Sequence, residues 1–140
     1  MSAGYSGTPL PKKLGIKPGQ RIAFLDAPAA FADALGELPD GVDEPRTSAR
    51  GPLDLVVAFF TERRRVQQRL PRLIAALDSA GALWIAWPKR AARVDTDVTE
   101  DVVRELGLAA GVVDVKVCAI DATWSGLKLV IRVRDRPPRG

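Results

Sequence analysis

The side chains able to do chemistry in this chain gather where apolar runs end. Asp26 follows Arg21–Leu25, Thr61 and Glu62 follow Leu53–Phe60, Trp87 and Lys89 flank the end of Leu83–Pro88, and Asp121 follows Val112–Ile120. The turn Thr123-Trp124-Ser125-Gly126 comes next. If these runs are parallel strands, their ends share one edge of a sheet, and ligands of open α/β sheets bind outside that edge. Asp26, Thr61, Glu62, Trp87, Lys89, Asp121, Thr123, Trp124 and Ser125 are therefore the candidate ligand-binding rim. Carboxylates, an amine, hydroxyls and indoles in one place can orient a small polar ligand. The competing explanation is that they are caps and turns that any such fold needs. A second candidate is Arg63-Arg64-Arg65, a basic surface at a predicted helix start, where positive charge opposes the macrodipole and would suit an anion or an acidic partner. A solvated helix face explains the same arginines.

Composition removes several chemistries. The chain has no histidine and one cysteine, Cys118, so imidazole-based triads, Cys-His dyads, intrachain disulfides and thiolate clusters are excluded. No metal site and no cofactor are expected. A thiolate at Cys118 would need a lysine to activate it, and a small buried hydrophobe is the expected role. The net charge of +4 is modest and comes mostly from arginine. Without a dense basic stripe or a recognition motif it argues against nucleic acid. The partner expected is a small molecule or a protein. No apolar run approaches the roughly 18–20 residues that cross a bilayer, and the N-terminus lacks a signal-peptide core, so the expected setting is cytoplasmic with no membrane partner.

The elements that must position these residues read as follows. Residues 1–13 are rich in Gly, Ser and Pro and predict a flexible arm, residues 14–134 form one domain, and 135–140 is a polar tail. Arg21–Leu25 predicts a first strand and Pro28 opens a helix to about Leu38. Residues 42–51 are an edge strand or a loop. Leu53–Phe60 predicts a buried strand, and Glu62–Ser79 a helix with Val66, Leu70, Leu73, Ile74 and Leu77 inward, kinked by Pro71 or restarting at Leu70. Ala82–Trp87 is apolar at every position, the pattern of a strand covered on both faces, with Trp84 and Trp87 facing opposite ways. Asp97 is expected to cap the next helix, with Glu100 as its capping-box partner. Val112–Ile120 and Leu127–Val133 are strands joined too tightly for a crossover. Lys116 is expected to pair with Asp114, and Gly126 to supply a positive φ in the turn. The fold class is α/β: a three-layer sandwich with a mostly parallel sheet closed by a C-terminal antiparallel β-hairpin.

The segment Leu14-Gly-Ile-Lys-Pro-Gly-Gln-Arg-Ile-Ala-Phe-Leu25 resembles the lead-in and first strand of S-adenosylmethionine-dependent methyltransferases, and Ala82–Val133 resembles their C-terminal end. The resemblance implies a Rossmann-like sheet with the last strand between the Trp84 and Val115 strands. The chain departs from that family in two ways. Asp26-Ala27-Pro28 replaces its glycine-rich cofactor turn, with only Asp43 and Glu44 to act on a ribose, and one helix-strand pair is missing between Leu25 and Leu53. Trp87-Pro88-Lys89, Thr99–Glu105 and Lys116–Lys128 further resemble an uncharacterised family of short bacterial proteins, a domain of unknown function, which implies no activity. The leading expectation is a non-catalytic Rossmann-like ligand- or partner-binding domain. The alternatives are a minimal methyltransferase-like enzyme and a weak nucleic-acid-associated protein using the arginine-rich helix.

Overall fold

The computed structural model describes residues 8–42 and 50–136. The flanking ends of the arm and tail, most of the 42–51 segment, and Asp43 and Glu44 lie outside the described residues. The elements are α1 (Leu10–Leu14), β1 (Ile22–Leu25), α2 (Ala29–Leu35), β2 (Leu53–Phe59), α3 (Arg63–Ala76), β3 (Leu77–Pro88), α4 (Glu100–Ala110), β4 (Val112–Ala119) and β5 (Trp124–Ile131).

The strands form one five-stranded sheet in the order β1-β2-β3-β5-β4. β1–β2 and β2–β3 pair parallel, whereas β5 runs antiparallel to both β3 and β4. The sheet is thus mixed, with two ladders of each kind, rather than mostly parallel. α1 and α2 cover one face and α3 and α4 the other, as the two core clusters show. Continuous apolar runs supply both faces at once. Leu55, Val57, Phe59, Trp84 and Ala86 point to the α1/α2 side, and Val56, Ala58, Leu83, Ile85 and Trp87 to the α3/α4 side. Trp84 is fully buried, and its indole N–H donates to the Leu14 carbonyl at 2.9 Å, which ties β3 to α1.

Several local expectations change in tertiary context. α1 begins inside the segment whose composition reads as a flexible arm, and its Leu10 and Pro11 are buried. α3 is a single helix through Pro71, because that residue lies on the exposed side where water can satisfy the freed carbonyl. It stops at Ala76 rather than Ser79, since Leu77 is extended and pairs with Leu53, lengthening β3 to 12 residues.

The cap of α4 is Thr99, whose Oγ1 accepts from the Val102 N–H at 3.2 Å. Asp97 instead accepts from the Arg63 N–H at 2.6 Å and so caps α3, a helix 34 residues earlier. Glu100 pairs with Arg104 at 2.6 Å and is not a capping-box partner. Asp114 also goes to Arg104, at 3.1 Å, which leaves Lys116 directly opposite Lys128 across the β4–β5 ladder. Gly126 lies within β5, and its lack of a side chain answers packing: a Cβ there would come within 3.0 Å of Ile120 and 3.2 Å of the Trp84 ring.

Candidate functional site

The carboxyl ends of β1 and β2 meet the start of β5 at one rim. A cavity of about 210 Å³ is lined there by Asp26, Phe59, Phe60, Thr61, Arg65 and Trp124. Asp26 ends β1 in the left-handed region (φ +55°), a conformation that short polar side chains tolerate better than most. Its Oδ2 accepts from the Arg69 guanidinium at 3.0 Å, and Oδ1 makes no hydrogen bond among the described residues. Trp124 is the first residue of β5 and stands edge-on to Phe59, ring centres 5.1 Å apart. The protein therefore covers one side of this indole and leaves it half-buried.

A second cavity, of about 630 Å³, lies on the α1/α2 side and is bounded by Phe24, Pro28, Phe31, Leu35 and Leu38. Asp26 borders this cavity as well as the rim cavity. Phe31 packs edge-on against both Phe24 and Phe59, at 4.9 Å each, so an aromatic ladder Phe24-Phe31-Phe59-Trp124 runs from one cavity to the other.

Of the predicted rim residues, Asp26, Thr61 and Trp124 come together. The others have structural duties. Trp87 is buried in the α3/α4 core, 6% exposed, because its strand position points it away from the rim. The Lys89 amine donates to the Asp121 carbonyl at 2.7 Å and its N–H to the Thr123 carbonyl at 2.7 Å. The Asp121 carboxylate accepts the N–H groups of Thr123 and Trp124 at 2.8 and 2.7 Å, building the turn that delivers Trp124. Ser125 is a ladder residue opposite Trp87. Glu62 precedes α3 and faces Arg64 at 3.8 Å.

The three arginines separate as well. Arg63 is capped by Asp97 and lies 4.0 Å from Glu105, Arg64 stays with Glu62, and Arg65 alone reaches the rim cavity. The frustration expected at this helix start is relieved from another element, since Asp97 brings negative charge to the exposed N–H groups. Sequence reading missed Phe59, Phe60 and Arg69. The phenylalanines immediately before Thr61 carried a usable signal, whereas Arg69 meets Asp26 only through the packing of α3 against the rim.

Cys118 is a half-buried free thiol whose burial pushes its pKa up against the opposing pull of Lys13, Lys116 and Lys89. Among the described residues no group of three or more acidic or thiol side chains gathers as a metal site would require, and no helix is long and apolar enough to cross a membrane.

Comparison of the fold with solved structures gives methyltransferases repeatedly. LepI in complex with SAM matches with a TM-score of 0.53 at 15% identity, over 88% of this chain and 39% of LepI. Magnesium protoporphyrin IX methyltransferase (ChlM) from Synechocystis PCC 6803 with bound SAM matches with a TM-score of 0.54 at 11% identity, over 87% of this chain and 74% of that one. A protein of Bordetella parapertussis described as a possible exported protein matches with a TM-score of 0.59 at 16% identity, over 87% of this chain and 65% of its own. This chain thus spans well under half of LepI. The fold is that of the methyltransferase-like Rossmann class. No protein-family model and no curated protein matches the chain, so the resemblance to the short bacterial family rests on its motifs alone.

Proposed function

We propose that this chain is a reduced methyltransferase-like domain that binds an adenosyl methyl donor across the two cavities sharing Asp26. That shared residue is the observation that carries the reading. An aromatic-walled cavity lies on one side of it and a slot between Thr61, Phe59 and Trp124 on the other. The larger cavity falls within the roughly 300–1,000 Å³ of small-molecule sites. Phe24 and Phe31 offer faces and edges to a purine. The indole suits a sulfonium cation through its ring quadrupole, while Asp26, whose charge is shared with Arg69 and Arg65 nearby, offers its Oδ1 as a hydrogen-bond acceptor. The likeness to LepI and ChlM, both with SAM bound, supports the same ligand class.

The donor, when bound, supplies the electrophilic methyl group. The chain's own residues orient it: Arg69 fixes the Asp26 carboxylate, and the Asp121 turn fixes Trp124. Side-chain contacts take the place of a glycine turn, because Ala27 blocks close backbone approach and Pro28 carries no amide. That same substitution favours the second reading, a domain that binds the ligand without transferring from it.

Titration with S-adenosylmethionine and S-adenosylhomocysteine, read by tryptophan fluorescence and thermal midpoint, tests the proposal. Ligand at about 100 times its Kd should stabilise by about 2.7 kcal/mol. Asp26→Asn or Trp124→Ala should weaken binding about tenfold, which corresponds to about 1.4 kcal/mol. Silence with both ligands sinks the reading. Binding without methyl transfer to any acceptor in a panel leaves the second reading standing.

A further inference from the structure

The sheet carries a second concentration of charge, away from the rim. Lys128 lies opposite Trp84 on one side and opposite Lys116 on the other, so both lysines stand on the α1/α2 face. Directly opposed residues in antiparallel strands have Cβ atoms about 4.5–5.5 Å apart, and like charges there repel. The Lys128 amine also approaches the loop after α1, where a Cβ on Gly15 would stand 3.8 Å from its Nζ. Lys17 follows in that loop. Burial lowers the Lys128 pKa, and Lys116 and Lys17 lower it further.

Among the described residues no carboxylate pairs with Lys17, Lys116 or Lys128. The nearest candidate on β4, Asp114, belongs to Arg104. Gly15 and Lys17 also border a cavity of about 400 Å³ walled by Pro9, Pro11, Ile16 and Pro39, with Glu37 its one acidic lining residue.

We infer that Lys17, Lys116 and Lys128 form a binding site for a phosphate group, with the adjoining cavity receiving the body of a small phosphorylated ligand. A cross-strand lysine pair without a counter-ion costs free energy through repulsion and desolvation, and an anion between the amines removes both costs. Lysine suits the task, being a point charge that binds phosphate without the planar fork that arginine needs. The open strand surface presents the amines, and Gly15 keeps side-chain bulk away from them. Two sources share this chemistry, a free phosphorylated metabolite and the backbone of a nucleic acid.

The test is thermal unfolding of the full chain in inorganic phosphate, pyrophosphate and sodium chloride at matched ionic strength, for the wild type and for Lys116→Gln and Lys128→Met. Phosphate and pyrophosphate should raise the midpoint beyond the chloride control. Either substitution should remove that increment, and Lys128→Met should raise the midpoint in anion-free buffer because it removes the repulsion. Lys116 is exposed, so its variant folds even if the Lys128 variant does not.

A single-stranded oligonucleotide that outcompetes pyrophosphate and loses affinity steeply with salt assigns the site to a nucleic-acid backbone. Competition by small phosphate esters alone assigns it to a metabolite. Equal stabilisation by chloride and phosphate, or an increment that survives both substitutions, overturns the inference.

Discussion

The two faces of the sheet solve the same packing problem differently. On the α3/α4 face, Val66, Leu70, Leu73, Val103 and Leu106 meet a full row of strand residues, and Arg63, Arg69 and Arg104 above them each face a carboxylate. Arg104 alone binds Glu100, Asp101 and Asp114, and Glu100 and Asp114 hold its guanidinium firmly protonated. On the α1/α2 face the helices have five and seven residues. They leave the edge strand β4 largely exposed, and the three cavities described above open on this face or at its rim. Among the described residues, no carboxylate pairs with its Lys17, Lys116 or Lys128. One face is built for stability. The other keeps the volume and the unneutralised charge that binding requires.

Core truncation should sharpen this contrast most. Leu73→Ala, in the continuous core, should lower the unfolding free energy by about 2–5 kcal/mol in urea denaturation. Leu35→Ala borders the large cavity, so less packing remains to be lost, and its cost should fall at or below the low end of that range. Equal costs would mean that the faces are equally well packed.

The cap of α3 comes next. Asp97→Ala should cost about 1 kcal/mol by removing the acceptor on the Arg63 N–H. An unchanged urea midpoint would show that Thr96, which donates to the Thr61 carbonyl and accepts from Val98, holds the junction alone.

The smallest effect is a pH dependence. Lys128 titrates below its ordinary 10.5 in the folded protein, so the unfolded chain binds more protons between the two values. Stability in anion-free buffer should therefore rise with pH through that window. Cys118 acts with the opposite sign. Its raised pKa keeps the folded thiol protonated above 9.0, where the unfolded thiol ionises, so its contribution falls as pH rises. Measuring the slope in a Cys118→Ala background isolates the lysine, and Lys128→Met should flatten it. A slope that persists in Lys128→Met would place the titrating group elsewhere.

The sequence by itself determined the main strands and helices and most of the residues they turn inward, but not every boundary: α1 lies in the segment that reads as an arm, and α3 gives way to β3 at Leu77. Val66, Leu70 and Leu73 are spaced for one helix face. The unbroken apolar run ending at Trp87 requires cover on both sides, and Trp84 and Trp87 occupy opposite cores as their spacing demands. These are short-range facts, fixed by the 3.6- and 2-residue periods of the backbone. Only the tertiary structure decided the partners. Asp97 reaches back 34 residues to cap α3, Arg69 holds Asp26 from 43 residues away, and Asp114 chooses Arg104 over Lys116. The same packing turns Trp87 into the α3/α4 core, ties Lys89 to the carbonyls of the turn before Trp124, and adds Phe59 to the rim. A carboxylate's local sequence says that it can cap or pair, but the crossing of helices over strands sets which donor comes within 3 Å. Charge pairing and cavities are properties of that arrangement, and no periodicity in the chain encodes them.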